Sequence, residues 1–386
     1  MSKLTLYIIV ISQFACTSVW FAVNAIMPEL ASEFSISEDH MSLFTSAIQL
    51  GFIAGTLIFA LWGIADKYNP TKIFLVSALI SSILSFLLLV SNNNLYSIVI
   101  IRFLNGICLA GIYPIGIKIA ADLYTKELPK VLSLLVGTLV LGTALPHLLN
   151  YLALENGLYT VVISTAVLSI IGGILIGFCI PYKNFTKRAH KFEINRITQL
   201  FTNKKLSQSA LGYFGHMWEL YAFWAFLPLF FEIYNRMNNT SINISLFSFL
   251  TISIGFISCY FGSKLVTFYT SKQMAKYSLL GSFICCLCFP FMLYFTPVEV
   301  FIGFMLLWGM LVIVDSPQLS TLVAQTAPEM YKGTAITIVN CIGFAITIVS
   351  IQLIALLQSS TASPLIYLIL ALGPLIGFWK LNKKIN

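Results

Sequence analysis

Apolar runs long enough to cross a bilayer recur along nearly the whole of this chain, broken only by short clusters of Lys, Asn, Pro and Gly. A hydrocarbon core of about 30 Å takes roughly 20 apolar residues of helix, and a span with its loop uses about 32, so roughly twelve spans fit. Breaks in the pattern place them near 4–30, 41–65, 72–92, 95–123, 130–153 and 157–181. After a polar stretch, 182–205, six more lie near 206–234, 243–268, 273–295, 298–326, 333–358 and 364–381. Charged residues make up only 9% of the 386. Soluble domains carry about a quarter, so an ordinary water-soluble enzyme is not expected. The expected fold class is all-α, a polytopic membrane protein of twelve transmembrane helices.

The net charge of +8 is a topology signal before it is anything else, and nucleic acid is not an expected partner. With both termini cytoplasmic, the inner segments collect Lys3, Lys67, Lys72, Lys126, Lys130, Lys183, Lys187, Arg188, Lys191, Arg196, Lys204, Lys205, Lys272, Lys276, Lys332, Lys380, Lys383 and Lys384, against Arg236 outside. The segment 182–205 is the expected cytoplasmic linker between six-helix bundles at 1–181 and 206–386. Span one carries Ser18-Val19-Trp20-Phe21 and closes on Met27-Pro28, and span seven carries Tyr221-Ala222-Phe223-Trp224 and closes on Leu227-Pro228. Such an echo is what duplication leaves in transporters that hold the substrate between two halves. The first apolar run is too long for a cleavable signal. The eight cysteines lack metal-ligand spacing and read as small buried hydrophobes. No nucleotide-binding loop occurs, and neither cofactor nor metal is expected.

After span two the chain reads Gly63-Ile64-Ala65-Asp66-Lys67-Tyr68-Asn69-Pro70-Thr71-Lys72. This resembles the signature loop of the major facilitator superfamily, keeping Gly63, Asp66, Lys67 and Lys72, with Asn69 where glycine is usual. The resemblance implies that these residues help lock an inward-side gate. The second half has Gly262-Ser263-Lys264 there, without the acid. Span four, Ile101-Arg102-Phe103-Leu104-Asn105-Gly106 followed by Gly111, is similar to the superfamily's fourth-helix motif. Span five offers Gly137, Gly142, Pro146 and His147, but Leu145-Pro146 departs from the antiporters' Gly-Pro and favours uptake over export. The runs Gly212–Tyr221 and Gly111–Pro114 resemble a bacterial branch loosely grouped with nitrate and cyanate permeases, which implies an inner-membrane location. The resemblance covers essentially the whole chain and implies that helices one, four, seven and ten line a central cavity.

Ionisable groups at membrane depth are costly, so each is a functional candidate. Glu219 lies roughly 20 Å into span seven, near the midplane. His216 stands one turn earlier on the same face, and a carboxyl beside an imidazole suits proton relay. Asp315, in span ten, precedes Ser316, Pro317 and Gln318. It is expected either to join Glu219 and His216 in proton coupling or to cap amides freed by the proline. Arg102 and Lys118 lie about 24 Å apart on span four, so they cannot share one level. Arg102 is expected to face the cavity, gripping an anionic solute or offsetting an acid. Lys118 is expected to meet solute, or to snorkel while paired with Asp122. Asn24, Gln318, Trp218, Tyr221 and His147 complete the expected substrate-binding set. Packing roles stand beside it for Trp218 and His147.

The expected function is secondary active transport of a small anionic or zwitterionic metabolite by alternating access, as a proton symporter, in a monomer held in the lipid bilayer. Proton-coupled efflux of a hydrophobic or cationic compound is the competing expectation. A non-transporting membrane receptor or scaffold is the alternative of another class. No catalytic constellation stands out at depth, so no enzyme is expected.

Overall fold

The computed structural model describes residues 3–124, 128–153, 156–182, 202–265, 268–328, 332–361 and 363–383. Among them every regular element is helical. The chain divides into two compact units, Met1–Phe192 and Glu193–Asn386. The expected linker at 182–205 falls mostly outside the described residues, as do Lys126, Lys183, Lys187, Arg188, Lys191, Arg196 and Lys384.

The first unit contains α1 (Lys3–Thr17), α2 (Ala22–Ala25), α3 (Met27–Phe34), α4 (Met41–Leu61), α5 (Ile64–Lys67), α6 (Pro70–Leu87), α7 (Leu95–Ala110), α8 (Tyr113–Leu123), α9 (Leu128–Leu152) and α10 (Gly157–Cys179). The second contains α11 (Lys204–Asn238), α12 (Ile244–Leu265), α13 (Ser271–Phe295), α14 (Val298–Val314), α15 (Ser316–Thr326), α16 (Lys332–Ser360), a 3-10 stretch (Pro364–Ala371) and α17 (Leu372–Asn382). Among the described residues, 10 helices are long and apolar enough to cross a membrane.

Two expected spans depart from that pattern, for different reasons. Span one is interrupted: α1 ends at Thr17, residues 18–21 form turns, and α2 gives way to α3 at Ile26. Pro28, without an N–H, cannot continue the ladder across that second break. Span seven, α11, is continuous over 35 residues but carries Tyr, Trp, His and Glu. From Gly212 to Leu227 all its residues except Trp218 are buried. A helix encased in protein need not be as apolar as one facing lipid.

The burial pattern of α6 is the reverse of a soluble helix. Ser77, Ser81, Ser82 and Ser85 are buried, while Val76, Ile80, Ile83 and Phe86 are exposed. Small polar residues between helices and branched apolar ones outward is the arrangement hydrocarbon surroundings select. Close backbone approach serves the same packing. A Cβ on Gly51 of α4 would lie 1.9 Å from the Phe103 carbonyl oxygen of α7, and one on Gly106 would lie 2.1 Å from that of Ile48.

The fourth span of each unit breaks in the same register. Leu95–Leu123 and Val298–Thr326 are both 29 residues long. In each, proline is the second residue of the later half-helix, Pro114 in α8 and Pro317 in α15. Interrupted helices at corresponding places in two halves mark where transporters handle their cargo.

Candidate functional site

In the second unit, α11 carries His216 and Glu219 one turn apart, each 1% exposed. Glu219 Oε1 accepts from Trp308 Nε1 of α14 at 2.6 Å, from Cys286 Sγ of α13 at 3.3 Å and from the Ser282 hydroxyl. Ser282 and Cys286 are themselves one turn apart, so α13 offers both donors from one face. The Trp308 ring lies 4.5 Å from Phe223 and 5.3 Å from Phe289, which fixes the direction of its N–H. His216 Nδ1 lies 2.9 Å from Asp315 Oδ1, both side chains almost fully buried. Asp315 occupies the break between α14 and α15, where Pro317 removes the donor that Ile313 O would otherwise receive. Cys259 Sγ approaches that carbonyl at 3.9 Å. Gln318 is buried one turn beyond Asp315.

The first unit answers the expectations for Arg102 and Lys118 with other partners. Arg102 is fully buried and donates to the Val19 carbonyl at 3.0 Å and to the Trp20 carbonyl. The expected grip on an anion or an acid is replaced by a hold on backbone, because a planar fork of donors matches consecutive carbonyls at the break after α1. Lys118 Nζ pairs with Asp66 Oδ1 at 3.1 Å. The expected partner Asp122 accepts instead from the Tyr182 hydroxyl.

The signature loop is built around that ion pair. Gly63 adopts φ +61°, a conformation costly for any residue with a Cβ, and starts α5. Asn69, standing where glycine is usual, caps α6 by accepting from Thr71 N at 3.0 Å. Lys72 Nζ donates to the Gly177 carbonyl at 3.3 Å and sits 4.6 Å above the Phe178 ring, while Lys67 is exposed.

The family model described as Major Facilitator Superfamily matches residues 9–378. The chain belongs to the Major Facilitator Superfamily. It is therefore a multi-pass membrane transporter. A solved structure of a mutant form of the nucleoside transporter NupG shares the fold of this facilitator, with a TM-score of 0.74 at 16% identity, over 99% of this chain and 100% of that one. No curated protein sequence matches it.

Among the expected site residues, the facilitator brings His216, Glu219 and Asp315 into one unit, with Gln318 one turn from Asp315. Trp218 and Tyr221 have internal partners instead. Trp218 Nε1 donates to the Ile369 carbonyl at 2.9 Å, and the Tyr221 ring packs 5.4 Å from Trp224 and 5.2 Å from Phe344. Asn24 Nδ2 donates to Thr45 Oγ1 at 2.8 Å, and His147 is buried on α9. Sequence reasoning missed Ser282, Cys286 and Trp308. Two signals were available: polar residues four apart on one face of span nine, and a tryptophan two turns before Asp315.

Proposed function

We propose that this facilitator is a proton-coupled secondary transporter that takes up a small organic solute by alternating access. Twelve spans in two six-helix bundles, a monomeric state, cytoplasmic termini and a bacterial inner membrane complete the proposal. The observation that carries the coupling is the surroundings of Glu219. Its Oε1 gathers three donors, and no cation pairs with it among the described residues. With Oε1 engaged as an acceptor, Oε2 is left to take and release the proton, so the carboxyl can change charge while keeping those hydrogen bonds.

His216 and Asp315 supply a second proton-accepting pair one turn away. Asp315 stands at the break in span ten, so its charge bears on an element able to bend. The Asp66–Lys118 pair supports a gate at the inner ends of the spans. The anionic or zwitterionic solute expected from Arg102 and Lys118 loses its support, since the protein itself engages both cations.

Reconstituted proteoliposomes with an imposed pH gradient, acid outside, test this proposal. Solute accumulates above equilibrium and the protonophore-treated vesicles only equilibrate. Accumulation that survives collapse of the gradient would remove protons from the mechanism.

A further inference from the structure

Buried polar atoms without partners gather in the first unit where span one is interrupted. On α4, Thr45, Gln49 and Phe52 share one face at helical spacing. Thr45 receives the Asn24 amide at 2.8 Å, and the Phe52 ring lies 5.0 Å from the Trp20 ring. Gln49, between them, therefore faces the interrupted segment. It is wholly buried, and neither Oε1 nor Nε2 has a partner among the described residues. Asn24 Oδ1 and Arg102 Nε are unpartnered in the same way.

From the other side, α9 runs along this segment. A Cβ on Gly142 would touch Thr17, and Asn150 Nδ2 donates to the Ala25 carbonyl at 2.7 Å. His147 lies on α9 between Gly142 and Asn150, is 1% exposed, and its Nε2 is unpartnered among the described residues. Native interiors leave few such atoms without partners, and their accumulation at a functional position points to a ligand that supplies them.

We infer that Asn24, Gln49 and His147 form a hydrogen-bonding subsite for the uncharged polar part of the solute, selecting neutral molecules with both donors and acceptors over anions. The chemistry of the set is that of amides and an imidazole. The Arg102 fork that would grip a carboxylate or phosphate is already turned to the Val19 and Trp20 carbonyls. This inference rests on the transport proposal and narrows its solute class.

Calorimetric titration of the full chain in detergent tests it, with uridine against uridine 5′-monophosphate, nicotinamide against nicotinate, and glucose against gluconate. A neutral member binds and its anionic counterpart binds at least about tenfold more weakly. Gln49→Met weakens that neutral binding by a similar factor and raises the melting temperature of the ligand-free protein, because two unpartnered polar atoms are gone. Tighter binding of the anionic members overturns the inference. So does a Gln49→Met protein that melts lower and binds the neutral member unchanged, since Gln49 would then be purely structural. The titrations use no gradient, so neutral binding together with absent gradient-driven uptake would count against proton coupling alone.

Discussion

A carboxyl sealed inside a helical unit needs the hydrogen bonds it can gather, and Glu219 draws three to one oxygen. Trp308→Phe keeps the aromatic packing and removes one donor, so thermal unfolding in detergent is expected to show a loss of about 1–3 kcal/mol. Arg102 makes the complementary case. Arg102→Leu strips both carbonyls at the break of a charged donor, at about 1.5–3 kcal/mol for each hydrogen bond, and Arg102→Lys restores part of the loss. An Arg102→Leu protein as stable as the parent would show that the hold on span one is unimportant. Depth along a span was enough to single out Glu219 and His216. The partner of Arg102 was not legible, because Ser18-Val19-Trp20-Phe21 contains neither proline nor glycine to announce a break.

Helices in this chain meet through glycines that admit no side chain. At Gly106, an added Cβ would collide with the Ile48 carbonyl, and Gly106→Ala is expected to cost about 1–3 kcal/mol through overpacking. Gly303 on α14 has nothing within 4 Å of the same position. Gly303→Ala should therefore stabilise by about 0.5–1 kcal/mol, as alanine does inside a helix. Opposite signs at these two sites, read by thermal shift, would support the crossing of α4 and α7. Hydropathy located most spans, since a helix that faces lipid must be apolar on its outward side and on average along its length. It was least informative for span one, which is broken after Thr17 and at Ile26, and for span seven, whose polar residues are encased in protein. Pro114 and Pro317 were visible in the sequence, but the shared register of their breaks emerged from the helix boundaries.

For the molecule as a whole, the distribution of charge separates stability from transport. The Asp66–Lys118 pair is partly exposed, at 28% for Lys118 and 22% for Asp66, so Asp66→Asn should change stability by less than about 1 kcal/mol. Its effect is expected on the transport rate, measured as initial uptake into proteoliposomes, if the loop governs a gate. The loop itself was readable from its motif. The pairing of Lys118 with Asp66 was not, because a contact 52 residues apart in sequence competes with Asp122 one turn away. The His216–Asp315 contact, between spans seven and ten, is tertiary in the same sense. Coupling by Glu219 is tested most directly by comparing two assays on Glu219→Gln, gradient-driven accumulation and gradient-free counterflow of the same solute. The expected result is accumulation lost by at least about tenfold, the equivalent of 1.4 kcal/mol, with counterflow retained. Undiminished gradient-driven accumulation by Glu219→Gln would contradict it.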